Sequence, residues 1–167
     1  MLKMYRGQLF TIDLMVASVL AIAVLFLIVS VTMDVMARYA KNDEWLSLSV
    51  QGDGAMSQLM YGQSSPSDWI RYNYTTNVSA INIVKSRGVL DREKIEKLVA
   101  SDYNETREKL GLGTSQLYIT IRSFDGKTVV YSYGSQPTTI SQKYYAERPA
   151  LLDNVPVKVM IYVWRGE

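Results

Sequence analysis

The sequence predicts an α+β protein in which a long N-terminal transmembrane helix precedes a small head with short helices and an antiparallel sheet. Three observations predict this class. An uncharged apolar run covers residues 14–33, capped helical patterns fill residues 91–110, and alternating apolar segments follow from residue 116 onward. A chain of 167 residues has room for one ordinary domain beside such an anchor.

The apolar run LMVASVLAIAVLFLIVSVTM, residues 14–33, is long enough to cross a bilayer. As a helix it would rise roughly 30 Å, which is the thickness of the hydrocarbon core. Lys3 and Arg6 precede the run and Asp34 follows it. The positive-inside rule therefore predicts a single-pass protein of the cell membrane, with its N-terminus cytoplasmic and its C-terminal domain extracellular. A cleaved secretory signal, the alternative, would have a shorter apolar core of about 7–15 residues.

Composition argues against most enzymatic and nucleic-acid-binding functions. The 18 basic and 16 acidic residues nearly balance, so no strong field would attract nucleic acid. The absence of Cys removes disulfides and thiolate chemistry, and the absence of His removes the usual general base and the commonest metal ligand. Carboxylate or Ser–Lys chemistry is what remains open. We expect no catalytic residue, no metal, no cofactor and no enzymatic activity.

The N-terminal residues MLKMYRGQLFTIDLMVA join a short basic leader, which ends at Gly7, to a hydrophobic helix with one acid, Asp13, near its start. This arrangement resembles the precursors of type IV pilins, and among them the archaeal pilin-like proteins with a class III signal peptide. The resemblance implies that a prepilin peptidase cuts the leader at the segment Gly7, Gln8 and Leu9, before the hydrophobic run. A cut after Gly7 makes Asp13 the sixth mature residue, and a cut after Gln8 makes it the fifth.

Asp13 is the second residue for which the resemblance implies a role. An ionisable residue at the edge of an apolar helix is costly unless it is paired. In pilins the acid is the fifth mature residue and pairs with the free amine of a neighbouring subunit, so the resemblance implies subunit pairing for Asp13. A carboxylate that caps the helix or lies at the membrane interface is the alternative. An uncleaved signal anchor also remains open.

We expect four regions: a cytoplasmic leader at 1–7, a transmembrane helix at 8–35, a helical extension or stalk at 36–62, and an extracytoplasmic α+β head at 63–167. The sequence Gln51-Gly52-Asp53-Gly54 predicts a kink or break in the extension. The turn-rich segment 61–71 loosely resembles a Gly-x-Pro-x-x-Trp stretch of the archaeal group. Trp69 within it is expected to fill the core rather than bind a ligand.

The head begins with two short helices. Asp91 is expected to cap the first, whose residues Ile95, Leu98 and Val99 share one face. Ser101 or Asp102 is expected to cap the second, which should end at Leu110 before Gly111.

Strands are expected at Gln116–Phe124, Lys127–Tyr133 and Val157–Trp164, the first two joined by a two-residue turn at Asp125-Gly126. That register puts aliphatic residues on a core face, namely Leu117, Ile119, Ile121 and Val130. It puts a tyrosine-rich set on the other face, namely Tyr118, Thr120, Arg122, Val129, Tyr131 and Tyr133. The second face would be a subunit contact or would be covered by a loop from Ser135 to Arg148.

Three Asn-x-Ser/Thr sequons begin at Asn73, Asn77 and Asn104. They fit a glycoprotein on the cell surface, and unmodified turn residues explain them equally well.

The leading functional hypothesis is a structural one: a pilin-like subunit, a minor pilin, of an archaeal type IV pilus-type surface filament or its assembly machinery. Its partners would be membrane lipid, the prepilin peptidase and other pilin-like subunits in a homo- or hetero-oligomer. The alternative is a single-pass surface binding protein that does not polymerise, and a membrane-tethered hydrolase is the third hypothesis.

Overall fold

The computed structural model describes residues 3–137 and 143–165, with side chains from Asp13 onward. Helix α1 spans Lys3–Tyr61 and is the longest element. The elements that follow are a 3-10 turn at Trp69–Arg71, α2 at Tyr74–Asn77, β1 at Val84–Ser86, β2 at Val89–Leu90, α3 at Arg92–Val99, α4 at Tyr103–Lys109, β3 at Ser115–Ser123, β4 at Val129–Gly134, β5 at Lys143–Leu152 and β6 at Val155–Arg165. The α+β class is confirmed. The chain divides into two units between Asp43 and Glu44.

The second unit holds one six-stranded sheet with the order β1-β2-β5-β6-β3-β4. It is mixed rather than antiparallel throughout, because β2 runs parallel to β5 and pairs Val89 with Leu151. Gly88, at a φ of 76°, turns β1 back into β2, and its carbonyl accepts a hydrogen bond from the Leu151 N–H at 2.8 Å. The tight turn thus brings the two-residue strand β2 alongside the end of β5. The sequence analysis did not predict β1 or β2.

The core of this unit lies between one face of the sheet and the last section of α1. The predicted last strand is confirmed as β6, and its alternating residues Val157, Val159, Ile161 and Val163 are all buried. The helix contributes a buried stripe at roughly helical spacing, consisting of Leu48, Ala55, Met56, Leu59 and Met60. Every second residue along β6 is buried, and the helix buries residues at a spacing close to 3.6. These two sets of side chains belong to a single apolar cluster.

The helix does not break at residues 51–54 as predicted, since α1 continues without interruption to Tyr61. Gly52 is buried, and a Cβ at this position would lie 2.0 Å from the Cδ1 of Tyr144 on β5. Gly54 faces open space. Gly52 therefore permits close packing of the helix against the sheet. The glycine lets the Tyr144 ring approach the helix backbone and does not end the helix.

The predicted antiparallel pairing of β3 with β4 is confirmed, but the predicted two-residue turn between them is wrong. The connection takes five residues, 124–128, because β3 ends at Ser123 and β4 begins at Val129. Beyond it, Arg122 pairs with Val129 but Ile121 pairs with Tyr131, so Val130 is the extra residue of a β-bulge.

The bulge reverses the faces that β4 presents. Tyr133 lies opposite Ile119 and is buried in the core cluster, and Tyr131 packs against the same cluster. Val130, predicted in the core, is largely exposed. The predicted faces of Tyr131, Tyr133 and Val130 are therefore wrong, because one inserted residue moves every later side chain of a strand to the opposite side.

The predicted loop from Ser135 to Arg148 contains most of β5, which is the main correction to the topology. This strand begins at Lys143 and pairs antiparallel with β6 along its whole length. Its sequence KYYAERPALL includes Pro149, a residue that lacks an N–H and is uncommon inside strands. Tyr145 of β5 and Tyr118 of β3 both contact the Tyr162 ring of β6, at centroid distances of 5.0 and 6.0 Å.

The two helix caps are confirmed. The Asp91 carboxylate accepts hydrogen bonds from the first N–H groups of α3, and the Asp102 carboxylate does the same for α4. Gly111 follows α4 with a φ of 70°. On α3, Ile95 and Leu98 are buried, whereas Val99 lies at the exposed edge of the predicted face.

Candidate functional site

The first candidate site is the apolar section of α1 at residues 14–33. Its large apolar side chains are all exposed, from 54% at Val16 to 73% at Phe26. Two hydroxyl groups of the section bond within the helix: the Ser18 hydroxyl donates to the Leu14 carbonyl at 2.7 Å, and the Thr32 hydroxyl donates to the Ile28 carbonyl at 2.8 Å. Within the described residues, α1 is the one helix long and apolar enough to cross a membrane.

Charged groups lie at both ends of this section. The exposed Asp13 carboxylate has no hydrogen bond or ion pair with another side chain that the structure describes. At the other end, Asp34 pairs with Arg38 one turn later, at 2.9 Å between Oδ2 and Nη2. Asp34 therefore has a partner on its own helix.

The predicted processing segment Gly7, Gln8 and Leu9 lies within the helical backbone of α1. The side chains of these residues lie outside the described set.

The three sequons differ in how accessible their hydroxyl residue is. Asn73 caps α2 and accepts a hydrogen bond from the Thr75 N–H at 3.0 Å, and both residues are exposed. Asn77 and its sequon partner Ser79 are also exposed. Asn104 is exposed, but the Thr106 of its sequon is completely buried.

Thr106 forms the centre of a buried hydroxyl cluster that the sequence did not reveal. Its Oγ1 lies 2.7 Å from the Tyr74 hydroxyl, accepts from the Tyr133 hydroxyl at 2.7 Å and donates to the Asp102 carbonyl at 2.8 Å. Burial raises the pKa of Tyr74 to about 12, and it also raises the pKa of Tyr133. The cluster ties α2, α4 and β4 together, and the β4 bulge is what brings Tyr133 into it.

A second contact missed by the sequence surrounds Gly52. The Tyr144 ring packs over this glycine, and its hydroxyl donates to the Asp53 carboxylate at 2.5 Å. Burial and then the Asp53 hydrogen bond raise the pKa of Tyr144 to about 12. On the preceding residue, Gln51 accepts from the Ser115 hydroxyl at 2.7 Å. Three of the four residues predicted to break the helix therefore fasten it to the sheet, and Gly54 is the exception.

The loop predicted around Trp69 closes one end of the core. Trp69 is fully buried, and its indole N–H donates to the Asn82 carbonyl at 3.0 Å. The predicted packing role is confirmed. On the surface above it, a groove of about 820 Å³ is lined by Met60, Tyr61, Gly62, Gln63, Ser64, Ser67, Asn82, Val84, Lys85, Ser86, Arg87 and Lys94.

The carboxylates form no cluster of the kind that holds a metal: within the described residues no group of three or more Asp or Glu side chains converges. Glu93 and Glu96 are exposed on α3, as a solvated helix face requires.

Comparison with known proteins returned no matching family model, no matching curated protein and no matching solved structure.

Proposed function

We propose that this chain is a pilin-like structural subunit, a minor pilin, of an archaeal type IV pilus-type surface filament or of its assembly machinery. The observation that carries the proposal is the 14–33 section of α1, whose apolar side chains are exposed all round. Such a surface requires lipid or the apolar faces of other helices. The pilin resemblance supplies both environments in turn, because the helix first crosses the membrane and then forms the filament core.

The proposal includes an orientation and a set of partners. The N-terminus is cytoplasmic and the α+β head is extracellular, in accordance with the basic residues that precede the apolar run. Partners are lipid, a prepilin peptidase and other pilin-like subunits. The head has a structural and binding role rather than an enzymatic one.

Processing of the leader is tested by intact mass. Co-expression with an archaeal prepilin peptidase should lower the mass by residues 1–7 or 1–8, and the size of the loss assigns the cut to Gly7 or Gln8. Gly7→Val should block the cut and serves as the control for nonspecific proteolysis. An unchanged mass for the parent chain would contradict processing and favour a permanent anchor.

Assembly is tested by two carboxylate substitutions at opposite ends of the apolar section. Asp13→Ala should reduce incorporation into filaments or co-purification with other pilin-like subunits, because its carboxylate would lose the amine of a neighbouring subunit. Asp34→Ala should not, since it removes an exposed i,i+4 ion pair of little energetic value. Membrane insertion should be normal in both variants. Full incorporation of Asp13→Ala would remove Asp13 from the mechanism.

The second candidate function is a single-pass surface binding protein that does not polymerise. The groove above Trp69 favours it, because a cavity of about 820 Å³ is of the size that small-molecule sites occupy. An uncut leader together with a monomeric membrane protein would select this candidate over the filament subunit.

Glycosylation belongs to the same proposal, and the three sequons should differ in whether they carry glycan. Asn73 and Asn77 should carry glycan, because both they and their hydroxyl partners are exposed. Asn104 should be unmodified whenever the transferase acts on the folded head, because Thr106 is buried. Glycopeptide mass spectrometry of protein from the native host checks this, and a glycan confined to Asn104 would contradict it.

A further inference from the structure

The groove above Trp69 has an asymmetric charge. Three of its lining residues are cationic, namely Lys85, Arg87 and Lys94, and none of the described lining residues is Asp or Glu. Lys85 and Arg87 are exposed at the end of β1 and in the turn that follows it. Cations that converge on a concave surface without carboxylates favour an anionic ligand.

Lys94 is held in place inside the groove. Its ammonium donates to the Asn82 Oδ1 at 2.8 Å and to the Val84 carbonyl at 2.9 Å. Since an ammonium group has three N–H donors, one remains for a ligand after these two bonds with described residues. A partly buried cation with a fixed position binds an anion at a lower entropic cost than a freely rotating surface lysine would.

The wall of the groove behind Lys94 is held together by hydrogen bonds. Asn82 is buried, and its side-chain amide donates to the Gly62 carbonyl at 2.9 Å. Its backbone carbonyl accepts a hydrogen bond from the Trp69 indole N–H. The Ser65 N–H donates to the Ala80 carbonyl at 2.9 Å and joins the two loops that border the groove. These contacts preorganise the walls, so ligand binding would not have to order them.

The remaining lining indicates the class of anion. Ser64, Ser67 and Ser86 contribute hydroxyl groups, and Gln63 contributes an amide. Tyr61, which also lines the groove, is 57% exposed. Hydroxyl and amide groups beside an exposed tyrosine suit the hydroxyl-rich edges and apolar face of a sugar ring.

We propose that this groove binds an acidic saccharide, with Lys94, Lys85 and Arg87 on its carboxylate or sulfate and the tyrosine ring against a sugar face. The site lies wholly within the second unit of the chain and does not depend on assembly. It therefore holds for a head carried by a filament or by a single anchor.

The test is a titration of the full chain in detergent micelles with trigalacturonic acid, with a neutral galactose trisaccharide as the matched ligand. The acidic trisaccharide should bind, and the neutral one should bind at least tenfold more weakly. Hexaglutamate and inorganic phosphate probe the other anion classes and should also bind more weakly. Absence of binding by the acidic sugar, or tighter binding by hexaglutamate or phosphate, would overturn the proposal.

Matched double variants locate the site. Lys85→Ser combined with Arg87→Ser should weaken binding at least tenfold, since two charge-assisted contacts are lost. Lys127→Ser combined with Lys143→Ser removes the same charge from exposed positions outside the groove and should leave binding unchanged. An equal loss in both double variants would show nonspecific attraction and refute a built site. Both pairs lie on the surface, so unchanged thermal unfolding of the head verifies that each variant is folded.

Discussion

Two sections of the same helix, residues 14–33 and 44–61 of α1, bury their apolar side chains in opposite ways. In the first section the large apolar side chains are exposed on all sides. In the second, one stripe from Leu48 to Met60 is buried, while Trp45 and Val50 remain exposed. Backbone geometry is shared, so the pattern of side chains alone distinguishes a helix suited to lipid from one that covers a sheet.

This difference in burial means that the two sections should contribute to different processes, namely unfolding of the second unit and membrane insertion. The second section belongs to a cooperative core with the sheet, and its side chains contribute to the free energy of unfolding of that unit. The first section contributes nothing to that core, so its contribution should appear in membrane insertion instead. Substitutions in the second section should therefore change the free energy of unfolding, and substitutions in the first should change membrane insertion.

The largest expected effect comes from matched leucine truncations. Leu59→Ala should destabilise the second unit by about 2–5 kcal/mol, because Leu59 is fully buried. Leu25→Ala makes the same chemical change at an exposed position of the 14–33 section and should leave that free energy unchanged. Chemical unfolding of both variants in micelles, followed by near-UV circular dichroism, measures the difference. Equal losses in both variants would break the comparison.

High pH should destabilise the second unit and leave the 14–33 section of α1 intact. The folded-state pKa of Tyr74 is raised from 10.0 to about 12 by burial, so above pH 10 the unfolded chain releases a proton that the folded chain keeps. The stability that Tyr74 contributes is therefore fully present below pH 10 and is lost by about 1.4 kcal/mol per pH unit toward pH 12. Residues 14–33 contain no ionisable side chain.

Unfolding at pH 8, 10 and 11.5 measures this loss. Tyr74→Phe should make the slope between pH 10 and 12 shallower, which a merely structural role of the ring would not do. A slope that Tyr74→Phe leaves unchanged would show that other groups are responsible.

A smaller effect is expected from the two glycines of the second section. Gly52→Ala should cost about 1–3 kcal/mol, because its methyl group would overlap the Tyr144 ring. Gly54→Ala places the same methyl group in open space and should stabilise the helix by up to about 1 kcal/mol. Thermal unfolding of the two variants is compared with the parent chain. A stabilising Gly52→Ala would mean that Tyr144 does not pack there.

Local patterns made much of the fold predictable. The uncharged run identified the membrane-length helix, and Asp91, Asp102 and Gly111 marked helix ends through contacts that span a few residues. The alternation in β6 predicted its buried face because that strand pairs without irregularity. In each case, the residues that determine the element lie within it.

The missed features depend on contacts between distant residues. The sequence around Val130 gives no sign of a bulge, and the bulge goes together with a contact between Tyr133 and Thr106 on another element. Gly52 resembles a helix breaker until Tyr144, far along the chain, is placed against it. The cationic groove likewise combines the end of α1, the loop after it, β1 and α3. Spacing along the chain could not have grouped these residues.

Membrane topology is the central claim, and the absence of native cysteine allows a direct measurement of it. Leu25→Cys and Lys127→Cys are each treated on intact cells with a membrane-impermeant maleimide. We predict that Lys127→Cys is labelled on intact cells and that Leu25→Cys is labelled only after denaturation. Labelling of Leu25→Cys on intact cells, or of Lys127→Cys only after lysis, would contradict a single lipid-embedded helix with an extracellular head.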